Sequence, residues 1–172
     1  MIWANGGCQN DTRRFANKVA SAVLVNDGGC LMELPERFED LLAIERLNSA
    51  FCFELDRGTP EGFAALFAED AYYAHGPRES RGRVEILAFA RSRTATAPRT
   101  ARHVPAGLRV TFQGATDASG ISCCTTFAAS ALPPIASTIP VLVADFQDVY
   151  VKRDGNWLFA ERLIIPIFTP AQ

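Results

Sequence analysis

Four long β-type segments follow one another almost without pause from Arg99 to Phe168, and every segment with helical periodicity ends before them. The segments run Arg99–Phe112, Gly120–Leu132, Val141–Lys152 and Asn156–Phe168. Asp154-Gly155 joins the last two by a hairpin signal. Pro133-Pro134 opens a loop that lasts to Pro140, while Pro105 and Gly107 predict a bulge or kink inside the first segment. Helices first and strands last argue for an α+β fold with the helices packed on one face of the sheet. Bulges bend long strands, so the expected architecture is a cone: a curved mixed sheet wrapped by three helices, with a pocket at its mouth.

The helices are legible one by one. Pro35 to Asp56 carries Phe38, Leu41, Leu42, Ile44, Leu47, Phe51 and Leu55 at helical spacing, with Pro35 at N1 and Glu36 in the first turn. Gly58 stops it. Thr59 then caps a second, short helix with Pro60 at N1, which carries Phe63, Leu66 and Phe67 and ends near Ala68. A strand from Ala71 to His75 is broken by Gly76-Pro77, and a third helix spans Arg83 to Arg93 on Val84, Ile86, Leu87 and Phe89. The expected domain therefore covers residues 35–170. Residues 1–34 read as a loosely docked arm with one short helical pattern at Phe15, Val19 and Val23. A native start at Met32 is the other reading of that arm, because the core needs nothing before it.

Charge and cysteine usage exclude several functions. The chain has 17 Lys+Arg against 19 Asp+Glu, a net charge of −2, and no basic stripe interleaved with aromatics, so no nucleic-acid partner is expected. No apolar run approaches the ~20 residues of a membrane span. The run Val19–Val25 is too short and interrupted for a signal peptide. The five cysteines are odd in number and lack a CxxC, and the neighbours Cys123 and Cys124 point to opposite faces of a strand. Free thiols and a cytoplasmic location fit this pattern. The two histidines, His75 and His103, have no partner at a metal-ligand spacing, so no metal is expected.

Two residues stand out chemically. Asp56 ends the first helix, where the macrodipole disfavours a carboxylate by ~0.3–1 kcal/mol. It is either a functional group at the pocket mouth or a solvated turn residue pairing with Arg57. Alternation places His103 on the strand face opposite Arg102 and Val104. There it is either an acid–base group or a core histidine satisfied by a carbonyl. Tyr73 and His75 share a face of the first strand, inward or at an exposed strand end. Cys52 and Phe53 precede Asp56 by about one helical turn and are expected on the same pocket wall. Arg162 is a candidate grip for an anionic group; its bland reading is a solvent-facing residue pairing with Asp148 or Glu161.

The stretch Leu47 to Ala71, with Asp56 at the helix end, a short second helix and the entry Phe67-Ala68-Glu69-Asp70-Ala71, resembles the SnoaL-like group of the nuclear-transport-factor-2-like (cystatin-like) superfamily. Arg81-Gly82-Arg83, Arg102-His103, Asp154-Gly155-Asn156-Trp157 and Arg162 extend the resemblance over roughly residues 36–168. The sequence is also similar to scytalone dehydratase, hexachlorocyclohexane dehydrochlorinase and the small subunits of ring-hydroxylating dioxygenases. The resemblance to the first two implies that Asp56 orients His103 as a proton-abstracting base, with Tyr73 or His75 near the substrate. Two departures set the dehydratase's water chemistry aside: Leu55 replaces a tyrosine, and Ser122–Ser130 contains no second pocket histidine.

The expected function is thus a cofactor-independent lyase or isomerase acting on a small hydrophobic substrate, cyclic or aromatic. The alternative is a non-catalytic ligand-binding or assembly module related to the dioxygenase small subunits, since fold alone does not establish catalysis. A sheet face bearing Val141, Val143, Phe146, Val149, Phe159, Ile164 and Ile165 is expected to be exposed and to form a homodimer or homotrimer.

Overall fold

The computed structural model describes residues 37–94, 98–136 and 139–170. The arm expected over residues 1–34, and the start of the first helix at Pro35, lie outside them. Helix α1 is Phe38–Arg57, α2 is Pro60–Ala65 and α3 is Gly82–Thr94. The strands are β1 Phe67–His75, β2 Arg78–Arg81, β3 Thr100–Phe112, β4 Asp117–Ala129, β5 Leu142–Arg153 and β6 Asn156–Phe168. They form one six-stranded sheet in the order β2-β1-β6-β5-β4-β3. Only β1 and β6 run parallel; the other neighbours are antiparallel. This is the curved α+β sheet with helices N-terminal to its long strands that the periodicity predicts.

Local chemistry explains the elements. Ile44, Leu47, Asn48, Phe51 and Cys52 are the buried stripe of α1, at spacings of three, one, three and one. The Thr59 side chain caps α2 by accepting from Gly62 N at 2.9 Å, ahead of Pro60. Asp154 and Gly155 both take positive φ (51° and 81°), which matches the β5–β6 hairpin turn to the strand twist. β3 carries its expected irregularity between Ala106 and Arg109. β2 is absent from the periodicity: its four residues are polar, and only Ser80 is buried. It forms because Gly76, at φ 58°, lets the chain turn back along β1.

The interior end of the cone is filled by aromatic rings. Phe51 lies 5.2 Å from Phe63, 6.1 Å from Tyr73, 5.8 Å from Phe146 and 5.7 Å from Phe159, ring centre to ring centre. The expected exposed sheet face is corrected here. Phe146, Phe159 and Ile164 are buried inside the cone, and only Val141, Val143, Val149 and Ile165 of that set keep partial exposure. Phe146 and Phe159 follow the inward phase of their strands, and for Ile164 the cause is a bulge. Phe159 pairs with Tyr150 and Glu161 with Val149, so Ala160 is an extra residue on β6. One extra residue reverses which side chains face inward. Trp157 and Phe159 point inward before it, and Arg162 and Ile164 after it.

Candidate active site

Two elements meet at the site. α1 ends with Asp56 in its last turn, and β3 brings His103 to it. The backbone N–H of His103 donates to Asp56 Oδ2 at 2.9 Å. The ring Nδ1 lies 2.6 Å from Asp56 Oδ1. Both side chains are nearly withdrawn from water, at 7 % exposure for Asp56 and 10 % for His103. A carboxylate accepts only, so Nδ1 carries the proton and Nε2 of the neutral ring keeps a free lone pair. The partner that offsets the unfavourable helix-end position of Asp56 is therefore His103 rather than Arg57. On the outer face of β3, Arg102 and Val104 are exposed.

β1 contributes Tyr73 and His75 to the inward face, paired in register with Arg162 and Ile164 of β6. Burial raises the Tyr73 hydroxyl to about 12, so it stays protonated. His75 is held below the usual histidine range by burial, then by the positive charge of Arg78 and Arg93, and by His103. Cys52 is buried behind the dyad and meets Cys124 of β4; their hydrogen bond and burial push the Cys52 thiol well above its ordinary range. Phe53 does not join this wall. It is 54 % exposed, because it sits off the buried stripe of α1.

Arg162 is fully buried, not solvent-facing, because the Ala160 bulge turns it inward. It does pair with Asp148: its Nε and Nη2 donate to the two carboxylate oxygens at 2.7 Å each. Nη2 also donates to Asn48 Oδ1. Tyr150 donates to Asp148 at 2.7 Å and accepts from Asn48 Nδ2 at 2.9 Å. Burial opposes the guanidinium's charge, but Asp148 beside it outweighs burial and raises its pKa. The group lies over the rings of Phe159 (3.9 Å), Phe51 (4.1 Å) and Phe146 (4.6 Å). Arg162 Nη1 and Ser122 Oγ are buried and have no hydrogen-bond partner among the described residues.

A cavity of about 310 Å³ opens at Asp56, but His103, Tyr73, His75, Cys52 and Arg162 are not among the residues that line it. Its wall includes Leu55, Asp56, Phe63, Ala90, Arg93 and Arg99. Sequence reasoning missed Arg93 and Arg99, which lie on separate elements and carry no local pattern. It also missed Asn48, although a polar residue within the stripe Ile44, Leu47, Phe51 was a visible signal. Among the described residues no group of three or more His, Cys, Asp and Glu side chains could hold a metal ion. No described helix is long and apolar enough to cross a membrane.

These features define a small α+β cone whose wall carries an aspartate–histidine pair. A family description for a SnoaL-like domain matches residues 36–163, and the chain belongs to that family. Solved structures with the same cystatin-like, nuclear-transport-factor-2-like fold agree. One is a protein assigned as a scytalone dehydratase from Novosphingobium aromaticivorans, with 24 % identity and TM-score 0.68 over 77 % of this chain and 87 % of that one. Another is LinA, at 25 % identity and TM-score 0.67 over 81 % and 95 %. A third is ActVI-ORFA from Streptomyces coelicolor, at 20 % and 0.65 over 74 % and 97 %. No curated protein sequence matches the chain.

Proposed function

We propose that the protein is a cofactor-independent lyase or isomerase in which His103, held by Asp56, removes a proton from a small hydrophobic, cyclic or aromatic substrate. The observation that carries this reading is the two-point grip of Asp56 on His103, which leaves Nε2 as the base. Nε2 takes the proton from carbon, and the C–H electron pair becomes the new double bond. In an elimination the leaving group departs with its bonding pair; in an isomerisation the proton returns to another carbon. General-base catalysis of this kind is worth ~10²–10⁴ in rate. Asp56 is the member of the pair that lines the cavity, whereas Tyr73, Cys52 and Arg162 are packed into the filled interior of the cone. LinA, whose type 2 form is named a hexachlorocyclohexane dehydrochlorinase, supports elimination as the first reaction to assay.

The assay offers hexachlorocyclohexane and a panel of cyclic ketones bearing a leaving group, and follows released halide and new double-bond absorbance. Asp56→Asn and His103→Ala are each expected to lower turnover by at least ~10²-fold with unchanged circular dichroism. Full turnover in both variants overturns the dyad. The aromatic filling around Phe51 favours a second reading, a non-catalytic binding module, whose ligand affinity would survive Asp56→Asn. We further propose a homodimer or homotrimer through the outer sheet face, where Val104, Ile121 and Ile167 are exposed, and a reducing, cytoplasmic setting for the free thiols of Cys52, Cys123 and Cys124. A monomer by light scattering at micromolar concentration would contradict the assembly.

A further inference from the structure

Two buried thiols meet where α1 packs on the sheet, and the proposed reaction uses neither. Cys52 of α1 and Cys124 of β4 are 6 % and 1 % exposed and share a hydrogen bond. Cys123 is exposed instead, because neighbouring strand residues face opposite sides of the sheet. The two buried sulfurs have different surroundings. Cys52 gives its S–H to Cys124; that bond, burial and the negative charge of Asp56, one turn further along α1, keep it a thiol. The Cys124 S–H reaches the Thr125 carbonyl only at 3.9 Å, a weak contact. Its sulfur faces donors: the Cys52 S–H, the Thr126 hydroxyl and the backbone N–H of Val104, with the charge of Arg162 nearby. The hydrogen bond from Cys52 leads in holding the Cys124 thiol below its ordinary range, against burial. A sulfur with thiolate character and a second thiol in contact with it oxidises to a disulfide rather than beyond it.

We propose that this pair is a site of oxidation by hydroperoxides, in which Cys124 is oxidised first and Cys52 then closes a disulfide that fastens α1 to β4. The Cys124 sulfur attacks the nearer peroxide oxygen and the O–O bond breaks. The leaving oxygen takes the Cys124 proton and departs as water or an alcohol, and Cys124 becomes a sulfenic acid. The Cys52 sulfur attacks the Cys124 sulfur, the S–O bond breaks, and the hydroxide takes the Cys52 proton and leaves as water. The two sulfurs together give up two electrons, and the peroxide accepts them. Hydrogen peroxide is close to water in size, and Leu55 and Asp56, which line the open cavity, lie one turn from Cys52. A disulfide holds its sulfurs about 2.05 Å apart, closer than a hydrogen bond does. It therefore draws α1 toward β4 four residues before Asp56 and two residues before Thr126, the register partner of His103.

The test treats the native full-length protein with hydrogen peroxide, alkylates the remaining thiols in denaturant and maps tryptic peptides by mass. The expected product joins Leu47–Arg57, which carries Cys52, to Val110–Lys152, which carries Cys123 and Cys124. It is lighter than the two reduced peptides together by two hydrogens, and dithiothreitol separates it. Cys123→Ser, a change at an exposed side chain, should form the same link, and Cys124→Ala should not. In Cys52→Ala the reaction stops at the sulfenic acid, so dimedone should label Cys124. Cys52 and Cys124 that both stay open to alkylation after peroxide overturn the proposal. So does a link that persists in Cys124→Ala, or Cys124 carried to the sulfinic acid while Cys52 stays free in the native protein. The first and last of these outcomes are read on the native chain, so they stand even where a core variant fails to fold. Neither step involves His103 or a substrate, so turnover plays no part in the test.

Discussion

Asp56 grips His103 at two points, with Oδ2 on its backbone N–H at 2.9 Å and Oδ1 at 2.6 Å from its ring Nδ1. One carboxylate thus ties the position of β3 and the orientation of the imidazole to the same helix end. The backbone bond sets where the strand lies along α1, and the ring bond sets which nitrogen carries the proton. Neither could shift without the other.

Replacing Asp56 by Asn tests the ring bond alone, because the amide keeps the shape. An amide N–H turned toward Nδ1 would move the ring proton to Nε2 and cancel the base. Nitrogen-15 NMR of the imidazole should report the Nδ1–H form in the native protein and loss of that form in Asp56→Asn. Turnover should fall by ~10²–10⁴ in parallel. An unchanged tautomer would show that something other than the carboxylate holds it.

His75 makes stability depend on pH. Burial, Arg78 and Arg93 hold its folded-state pKa below the ordinary value of 6.5. The unfolded chain therefore takes up its proton first as pH falls. The contribution is fully present above pH ~6.5 and is lost as pH drops through the folded-state pKa. Melting temperatures across pH 5 to 8 should fall on the acid side more steeply for the native protein than for His75→Gln. Arg78→Gln should lie between them, because it removes one of the repelling charges. Parallel curves for all three would sink the argument.

The buried network around Arg162 sets a larger stability effect. Asp148→Ala would leave a fully buried guanidinium without its main counter-charge. Breaking a buried pair from one side costs about 3–5 kcal/mol. Replacing both members, as Asp148→Leu with Arg162→Met, removes the stranded charge and should cost less than the single change. Denaturant midpoints of the two variants, at equal slope, decide the order.

Much of this molecule was legible because its patterns are local. The α1 stripe, the Thr59-Pro60 cap, the Asp154-Gly155 turn and the strand alternation that turns His103 inward each depend on a few consecutive residues. Asp56 drew attention because a helix end disfavours it, a local conflict that the contact with His103 resolves. The errors came from features that only tertiary pairing creates. The extra residue Ala160 reverses the inward phase midway along β6, which moves Arg162 from the expected solvent face into the core and buries Ile164. β2 forms on pairing with β1 rather than on its own polar sequence. The arginines of the cavity come from α1, α3 and the residue just before β3 and meet only in three dimensions.

Gly120 makes that network's packing testable from a neighbouring strand. It lies on the inward face of β4, opposite Asp148. A Cβ there would stand 2.9 Å from Tyr150 Cε2, 3.1 Å from the Tyr150 hydroxyl and 3.1 Å from the carbonyl oxygen of Arg109. The carbonyl belongs to β3 and cannot yield cheaply, so Tyr150 must move. Its hydroxyl joins Asn48 to Asp148, and any shift lengthens both bonds. Gly120→Ala should therefore destabilise the fold by about 1–3 kcal/mol, despite the helpful loss of glycine's chain entropy. Combining it with Tyr150→Phe should cost less than the sum of the two single changes, because both act on the same hydroxyl. Strict additivity in a double-mutant cycle would show that Gly120 acts on β4 alone.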